Sequence, residues 1–329
     1  MKRFLGILVL GLLWSSNAYA DTVTHCSVRS DDADASASSS SSKLDRIYQC
    51  ATNNTFILDA GEYIGDLSED GAGARIDMGT ATDVTIDNSG TIEARGNGNV
   101  ITSGASDTIK VTNKSTGLIK GATNGIYVGA GDNWEIDNYG DIYGVKAKTI
   151  NIRGGDNNKI TNRSGAKIRS DGQNAILVWE SDGGGDVVET ITVDNYGTIS
   201  STYNTVKIAE NTTGATINNY SGGIIKATDT DGNNTNSKAA IRIDVNDVTV
   251  VNKGSLNGVG NSASIRLKNN ITGTKIYVDE AASFTGEIHL GNSSTASNTT
   301  LYLECNISQD TTIEIKKKSS LNITNNLCG

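Results

Sequence analysis

Three aspartates stand directly before the asparagine of a repeated Asn-x-Gly turn, and their repetition raises the chemistry of paired carboxylates. They are Asp87, Asp137 and Asp194, in the stretches TIDNSG, EIDNYG and TVDNYG. Two carboxyl groups roughly 5 to 9.5 Å apart can cleave a glycosidic bond, one as acid and the other as base or nucleophile. Aspartate is also common where a strand ends in a turn. We therefore interpret the column as a solvated acidic stripe, with a catalytic pair as the alternative.

A second group of carboxylates lies in the segment WESDGGGDVVE, residues 179–189. Carboxylate oxygens are the ligands that Ca²⁺ prefers. The calcium-binding pattern GGxGxD does not recur along the chain, as it would in a calcium-binding solenoid. We predict no metal and no cofactor, and a calcium ion (Ca2+) in this segment is the alternative.

Histidine and cysteine chemistry has little support in the sequence. There are two histidines, His25 and His289, and neither lies in a motif of a Ser/His/Asp or Cys/His catalytic site. The four cysteines form one pair near each end of the chain, without the CxxC spacing of a zinc site. We therefore assign no catalytic residue and no metal ligand.

The elements that would position these side chains are repeats. A small polar turn built around asparagine recurs, and successive copies are 25, 25, 24, 33, 24 and 33 residues apart. One unit is therefore about 24 residues long, and two units carry insertions. The seven asparagines are Asn88, Asn113, Asn138, Asn162, Asn195, Asn219 and Asn252.

Aliphatic residues flank each asparagine in three columns. Ile136 precedes Asn138, Ile142 follows it, and Ile150 with Ile152 comes before the next copy. Alternation of apolar and polar residues is typical of short strands with one buried face. We predict an all-β fold, a single-stranded right-handed parallel β-helix (solenoid) of about 24 residues and three short strands per coil, with the hand following the usual crossover rule. An antiparallel sandwich of hairpins is the alternative.

In such a stack the seven asparagines lie over one another. We predict that their side-chain amides hydrogen-bond along the column as a structural Asn ladder. We also expect each asparagine to adopt the left-handed backbone conformation at its corner, with the following glycine or polar residue completing the turn.

Two units are longer than the others, and the additional residues predict protruding loops. One insertion is WESDGGGDVVET, residues 179–190, and the other is ATDTDGNNTNSKAA, residues 227–240. Protruding loops often carry the specificity of a repeat scaffold. The predicted binding residues are Trp179, Glu180, Asp182, Asp186, Glu189, Asp229 and Asp231.

Residues 1–20, MKRFLGILVLGLLWSSNAYA, have the basic start, short apolar run and small residues before a cleavage site that are typical of a signal peptide. A membrane anchor is the alternative, although the apolar run is short for a bilayer crossing. We predict an N-terminal cap with a flexible Ser/Asp-rich loop at 21–73, parallel β-helix repeats at 74–278, and irregular last coils with a C-terminal cap at 279–329.

The cysteines predict two disulfides that hold the ends of the solenoid. Cys26 and Cys50 are 24 residues apart, and Cys305 and Cys328 are 23 apart, close to one coil in each case. Residues one coil apart have Cα atoms near the strand spacing, which a disulfide can span. Such bonds form in an oxidising compartment. Free thiols or long-range pairing are the alternatives.

The chain is acidic, with a formal net charge of −9 that becomes −11 once Lys2 and Arg3 are removed with the signal peptide. Such a surface repels phosphate backbones, so we predict no nucleic-acid partner. No segment after residue 20 is apolar enough for a transmembrane helix. We therefore predict an exported protein that does not span the membrane.

The stretches ITVDNYGTIS, VTIDNSGTIE and WEIDNYGDIY share an aliphatic, Asn, Gly, aliphatic order. Over residues 74–258 this pattern resembles the passenger domains of bacterial autotransporters and related large adhesins. The resemblance implies a right-handed β-helix displayed on or released from the cell surface, often for adhesion. The chain ends in LCG and does not resemble the membrane β-barrel at the end of autotransporters. Release, retention in the periplasm and use of a separate exporter are the alternatives to self-display.

We therefore expect an exported structural or adhesive protein at the cell surface, in the periplasm or secreted. It would present loops or flanks to a glycan or cell-surface partner, and self-association is a further expectation. The alternative is a pectate-lyase-like polysaccharide lyase or a glycoside hydrolase that acts on an outer face. Such enzymes place aspartates beside arginine or lysine, and here Arg153, Arg163 and Arg169 lie near Asp137 and Asp156 in the sequence.

Overall fold

The computed structural model describes residues 26–28, 43–44, 48–65, 75–179, 187–228, 238–260, 262–290, 299–303, 315–316 and 321–324. The predicted signal peptide and most of the Ser/Asp-rich loop lie outside these residues. So do five of the predicted binding residues, which are Glu180, Asp182, Asp186, Asp229 and Asp231.

The described residues form three long sheets of short strands, and the predicted right-handed parallel β-helix is confirmed. The first sheet contains Thr55–Leu58, Thr85–Asn88, Lys110–Asn113, Glu135–Asn138, Asn158–Asn162, Ile191–Asn195, Thr216–Asn219, Thr249–Asn252, Lys275–Val278, Thr299–Leu303 and Leu321–Thr324. The second sheet contains Lys43–Leu44, Tyr63–Gly65, Thr91–Ala94, Leu118–Gly121, Asp141–Gly144, Lys167–Ser170, Thr198–Ser201, Ile224–Thr228, Ser255–Val259 and Ser283–Thr285.

The third sheet completes each coil. It contains Ser27–Val28, Tyr48–Gln49, Ile76–Asp77, Asn99–Ser103, Asn124–Val128, Ile150–Ile152, Ile176–Val178, Val206–Ile208, Ala239–Ile243, Ala263–Leu267, Ile288–His289 and Ile315–Lys316. A separate short parallel pair is formed by Val188–Glu189 and Thr212–Thr213. None of the described residues forms a helix with the length and apolarity that a bilayer crossing requires.

Each coil visits the first, second and third sheets in that order, and like residues lie over like. Val111 pairs with Ile86 on one side and with Ile136 on the other. In the second sheet, Ile119 pairs with Ile142 in the same way. Neighbouring parallel strands lie roughly 4.7 to 4.9 Å apart, so each aliphatic column is continuous along the axis of the solenoid.

The core is the interior of this column. Ile86, Ile119 and Ile126, one from each sheet of two successive coils, are all 0% exposed. The outward residues Asp87 and Lys120 on these strands are polar and partly exposed, in the period-two alternation that the sequence predicts. A buried tryptophan, Trp134, fills a corner, and its indole Nε1 donates a hydrogen bond to the carbonyl of Ser106 at 2.7 Å.

The predicted left-handed conformation of the repeated asparagines is wrong. The left-handed residues other than glycine lie instead at the corner that enters the first sheet, for example Asp83 with φ 56°, Thr108 with φ 57° and Asn133 with φ 57°. The asparagines of the ladder end extended strands, as Asn138 does. This backbone directs their side chains into the column, and the turn that follows has two residues after Asn138 and four after Asn162.

Parallel strands continue on both sides of the predicted repeat region 74–278, from Lys43–Leu44 to Leu321–Thr324. At the N-terminal end, Ser27–Val28 pairs antiparallel with Tyr48–Gln49. This antiparallel strand covers an edge of the third sheet that would otherwise present unpaired backbone groups.

Candidate functional site

The seven asparagines form an uninterrupted chain of amide hydrogen bonds. Each Nδ2 donates to the Oδ1 of the asparagine in the next coil, at 2.8 or 2.9 Å, from Asn88 through to Asn252. All seven side chains are 0% exposed. A buried amide is costly unless it is hydrogen-bonded, so each rung depends on the rungs above and below it.

The same side chains also hold the backbone at the corner. The Nδ2 of Asn138 donates to the carbonyl of Lys167 at 3.0 Å, in the second sheet of the following coil. Its Oδ1 accepts the backbone N–H of Gly140 at 3.2 Å. The ladder therefore fixes the turn between the first and second sheets and the side chains that this turn presents to solvent.

The residue directly after each ladder asparagine points outward, and four successive copies form an aromatic and cationic strip. We call Tyr139, Arg163, Tyr196 and Tyr220 the tyrosine–arginine column. The rings of Tyr196 and Tyr220 are stacked, with centroids 4.2 Å apart and planes 1° from parallel. The Cζ atom of Arg163 lies 5.3 Å from the centroid of the Tyr139 ring.

Two of the aspartates considered for catalysis lie beside this column and are occupied by ion pairs. Asp137, 8% exposed, accepts two hydrogen bonds from Arg163, at 2.6 Å from Nε and 3.0 Å from Nη2. Asp194, 6% exposed, accepts a hydrogen bond from Asn218 at 2.8 Å and pairs with Lys159 Nζ at 3.1 Å. In this arrangement Asp137 orients Arg163, the cation of the strip, and Asp194 is held by Lys159 and Asn218.

Asp137 and Asp194 lie two strands apart in the first sheet. In the strand register Asp137 is next to Thr161, and Thr161 is next to Asp194. Two strand spacings amount to roughly 9 to 10 Å, at the upper limit of the separation used in glycoside hydrolysis. Asp87 has the same strand position two coils before Asp137, and it forms an ion pair with Lys114 Nζ at 3.4 Å. Each of the three carboxylates thus has its own cation.

The protonation of the column is set by its packing. Burial in the stack, together with the hydrogen bond to Tyr196 and the charge of Asp194, raises the pKa of Tyr220 to about 12. The hydrogen bond to Asp137 raises the pKa of Arg163 above its usual value. At neutral pH the column therefore presents the neutral phenol of Tyr220 and the guanidinium cation of Arg163.

An open depression adjoins the start of the column. It has a volume of about 540 Å³ and is bordered by Lys110, Thr112, Lys114, Asp137 and Tyr139, among others. Tyr139 is 43% exposed. A flat aromatic ring thus stands at the edge of a surface that carries both cations and hydroxyl groups.

Two of the seven predicted binding residues are described, and they lie apart from the tyrosine–arginine column. Trp179 follows the third-sheet strand Ile176–Val178 and has the guanidinium of Arg153 5.1 Å from its ring centroid. Glu189 lies in the short strand pair, and its backbone N–H donates to Asp156 Oδ1 at 2.9 Å. Within the described part of the chain, no group of three or more His, Cys, Asp or Glu side chains is arranged to hold a metal ion.

The three arginines of the enzyme hypothesis do not converge. Arg163 lies at the corner after the first sheet, with Asp137. Arg169 lies on the second sheet, 2.9 Å from Asp141 and against the ring of Tyr143. Arg153 follows the third sheet, where it donates to a tyrosine hydroxyl at 3.0 Å. They therefore face three different sides of the solenoid.

The predicted disulfide between Cys26 and Cys50 is confirmed, with Cα atoms 4.3 Å apart. The predicted geometry is wrong, since the two residues do not stack one coil apart in a parallel sheet. They extend the antiparallel pair in which Ser27 lies opposite Gln49, so the 24-residue spacing is coincidental. Cys305 and Cys328 lie outside the described residues, as does His25, and His289 is buried.

The tyrosine–arginine column is the feature that the sequence interpretation overlooked. An alignment of the repeats would have indicated it, because Tyr139, Tyr196 and Tyr220 each directly follow a repeated asparagine. No known protein family, curated protein or solved structure matches this chain. The geometry of the column therefore carries the functional argument.

Proposed function

We propose that this chain is an exported adhesive or structural protein, similar in build to an autotransporter passenger, that binds a glycan along its tyrosine–arginine column. The observation that carries the proposal is the outward stack of Tyr196 on Tyr220 in line with Arg163 and Tyr139. Aromatic faces are large, rigid and partly apolar, and they suit the C–H faces of sugar rings.

Rigidity favours such a surface. The column is attached directly to the buried ladder, so its members lose little conformational freedom when a ligand binds, and preorganisation of this kind increases affinity. Asp137 and Asp194 hold the polar side chains of Arg163 and Asn218 beside the rings. A glycan running along the solenoid axis would meet stacked rings and polar groups at each coil.

The first test removes the stacked rings. We expect the double variant Tyr196→Ala/Tyr220→Ala to lose at least tenfold in affinity for the glycans that the wild-type protein binds on a glycan array. Each aromatic contact with a flat ligand is typically worth about 1 kcal/mol or more, so two lost rings account for this factor. Binding constants measured by calorimetry on the array hits would quantify the loss.

The matched control is Tyr277→Ala/Tyr302→Ala. These two rings are also stacked, 4.4 Å apart and 7° from parallel, but they lie further along the first sheet. We expect this variant to keep wild-type affinity. Equal loss in both variants would contradict the proposal, and so would release of reducing ends or unsaturated sugars that Asp137→Asn abolishes, because turnover would favour the polysaccharide-degrading enzyme.

Export is proposed from residues 1–20. We expect the protein recovered from the periplasm, cell surface or medium to begin at Asp21, and Leu10→Arg, which interrupts the apolar run, to retain it in the cytoplasm. N-terminal sequencing after cell fractionation checks both outcomes. An exported chain that still begins at Met1 would contradict this part of the proposal.

A further inference from the structure

The outward face of the third sheet carries a column of basic residues on successive coils. In the register of neighbouring strands, Lys207 lies beside Arg242, Arg242 beside Arg266, and Arg266 beside His289. We call Lys207, Arg242 and Arg266 the basic column, while His289 at the next rung is buried. Their rungs are roughly 4.7 to 4.9 Å apart, and they concentrate positive charge on one face of a chain whose net charge is −9.

Carboxylates compensate this charge only in part. Asp244 is shared between two cations, at 3.2 Å from Lys207 Nζ and 2.9 Å from Arg242 Nε. Glu210 pairs with Lys268 Nζ at 2.5 Å, beside the column. Among the residues that the structure describes, Arg266 makes no hydrogen bond or ion pair, and the charges of Glu287 and Asp244 act on it only at longer range.

The surroundings disfavour the charge on Arg266. Partial burial, and after it the neighbouring charge of Arg242, lowers the pKa of the Arg266 guanidinium. Lys148 is in a similar position, since burial followed by the charges of Arg153 and Lys207 lowers its pKa. Half-buried cations beside other cations destabilise a fold unless an anion joins them. Groups in this condition are typical of binding sites.

We infer that the basic column binds a linear acidic polysaccharide, with Arg266 as the residue that pairs with its carboxylate groups. A guanidinium can hold a carboxylate through two parallel hydrogen bonds. Cations repeated along a straight axis fit a polymer with anionic groups along its length. The inference does not depend on the tyrosine–arginine column, which lies at the corner after the first sheet.

A polysaccharide fits the column better than a nucleic acid does. Along the axis of duplex DNA each strand carries one phosphate about every 3.4 Å, and a chain with a negative net charge repels so dense an anionic backbone. Proteins that bind single strands also use aromatic side chains for base stacking. Lys207, Arg242 and Arg266 carry no such ring, and the net charge of the whole chain is negative.

The experiment measures binding of the full-length protein to polygalacturonate, with neutral dextran and single-stranded DNA as further probes. We expect binding to polygalacturonate that weakens with salt, no binding to dextran, and weaker binding to DNA. Arg266→Gln should reduce the affinity for polygalacturonate at least tenfold. The matched control Arg169→Gln removes the same charge from the second sheet, where Arg169 pairs with Asp141, and should keep wild-type affinity.

A second readout separates binding from a structural role. Because Arg266 is half-buried without a partner among the described residues, we expect Arg266→Gln to leave the urea midpoint of unfolding unchanged or higher. Unaltered affinity of Arg266→Gln, equal loss in both variants, or tighter binding to DNA would each overturn the inference. So would a lowered urea midpoint that accounts for the loss of binding.

Discussion

Asn162→Ala is expected to lower the free energy of unfolding by about 4 kcal/mol. Asn162 lies inside the ladder, where its Oδ1 accepts from Asn138 at 2.9 Å and its Nδ2 donates to Asn195 at 2.9 Å and to the carbonyl of Thr198 at 3.2 Å. Alanine can replace none of these bonds. Buried groups on two neighbouring coils lose a partner, and each costs about 1 to 3 kcal/mol.

The end of the ladder provides the matched control. Asn252 accepts from Asn219 at 2.8 Å, but its own Nδ2 has no partner among the described residues. Asn252→Ala therefore interrupts one inter-coil amide bond where Asn162→Ala interrupts two, and we expect a cost of about half as much.

Urea unfolding gives the size of both effects, and hydrogen exchange gives their location. In a repeat protein each coil is stabilised mainly by its neighbours, so faster exchange should centre on the coils of Asn138, Asn162 and Asn195. Equal losses for Asn162→Ala and Asn252→Ala would show that the continuity of the ladder contributes nothing beyond an isolated buried amide.

The regular part of the fold was predictable because stacking imposes the same demand on every coil. Ile86, Val111 and Ile136 recur at one spacing because each covers the other two in the column. The asparagines recur for the same reason, since an amide can donate to and accept from its own kind. A repeated spacing in the sequence therefore corresponds to a step of one coil along the solenoid axis.

Features that do not repeat in every coil were less accessible from the sequence. The Cys26–Cys50 bond spans one repeat length but belongs to an antiparallel pair at the end of the third sheet, and a period says nothing about strand direction at an end. The left-handed corner lies at Asp83, Thr108 and Asn133. These residues differ in type, so no single letter marks the corner.

The candidate site combines a feature that repeats in every coil with contacts that do not repeat. The position of Tyr196 and Tyr220 is fixed by the ladder asparagines before them, and this much is legible in the aligned repeats. Their stacking, and the pairing of Arg163 with Asp137 across 26 residues of sequence, depends on which outward side chains happen to be neighbours. Chemistry on a solenoid therefore resides in the variable residues next to the invariant ones.

Gly140→Val is expected to cost more than about 4 kcal/mol and to leave little folded protein. A Cβ atom at Gly140 would lie 2.3 Å from the carbonyl oxygen of Gly117 and 2.4 Å from that of Lys114. Both atoms belong to the backbone of the preceding coil, so the coils would have to separate. That movement would also break the hydrogen bond from Gly140 N–H to Asn138.

The control is another glycine of the same kind of corner. Gly165 follows Asn162 by three residues, has φ +79°, and has nothing within 4 Å of a Cβ atom. Gly165→Ala should therefore cost only the strain of a left-handed alanine, about 1 to 2 kcal/mol. Soluble yield and the urea midpoint check both variants. Equal stability of Gly140→Val and Gly165→Ala would contradict this explanation. It would show that the close contact with the preceding coil is not the reason for glycine at position 140.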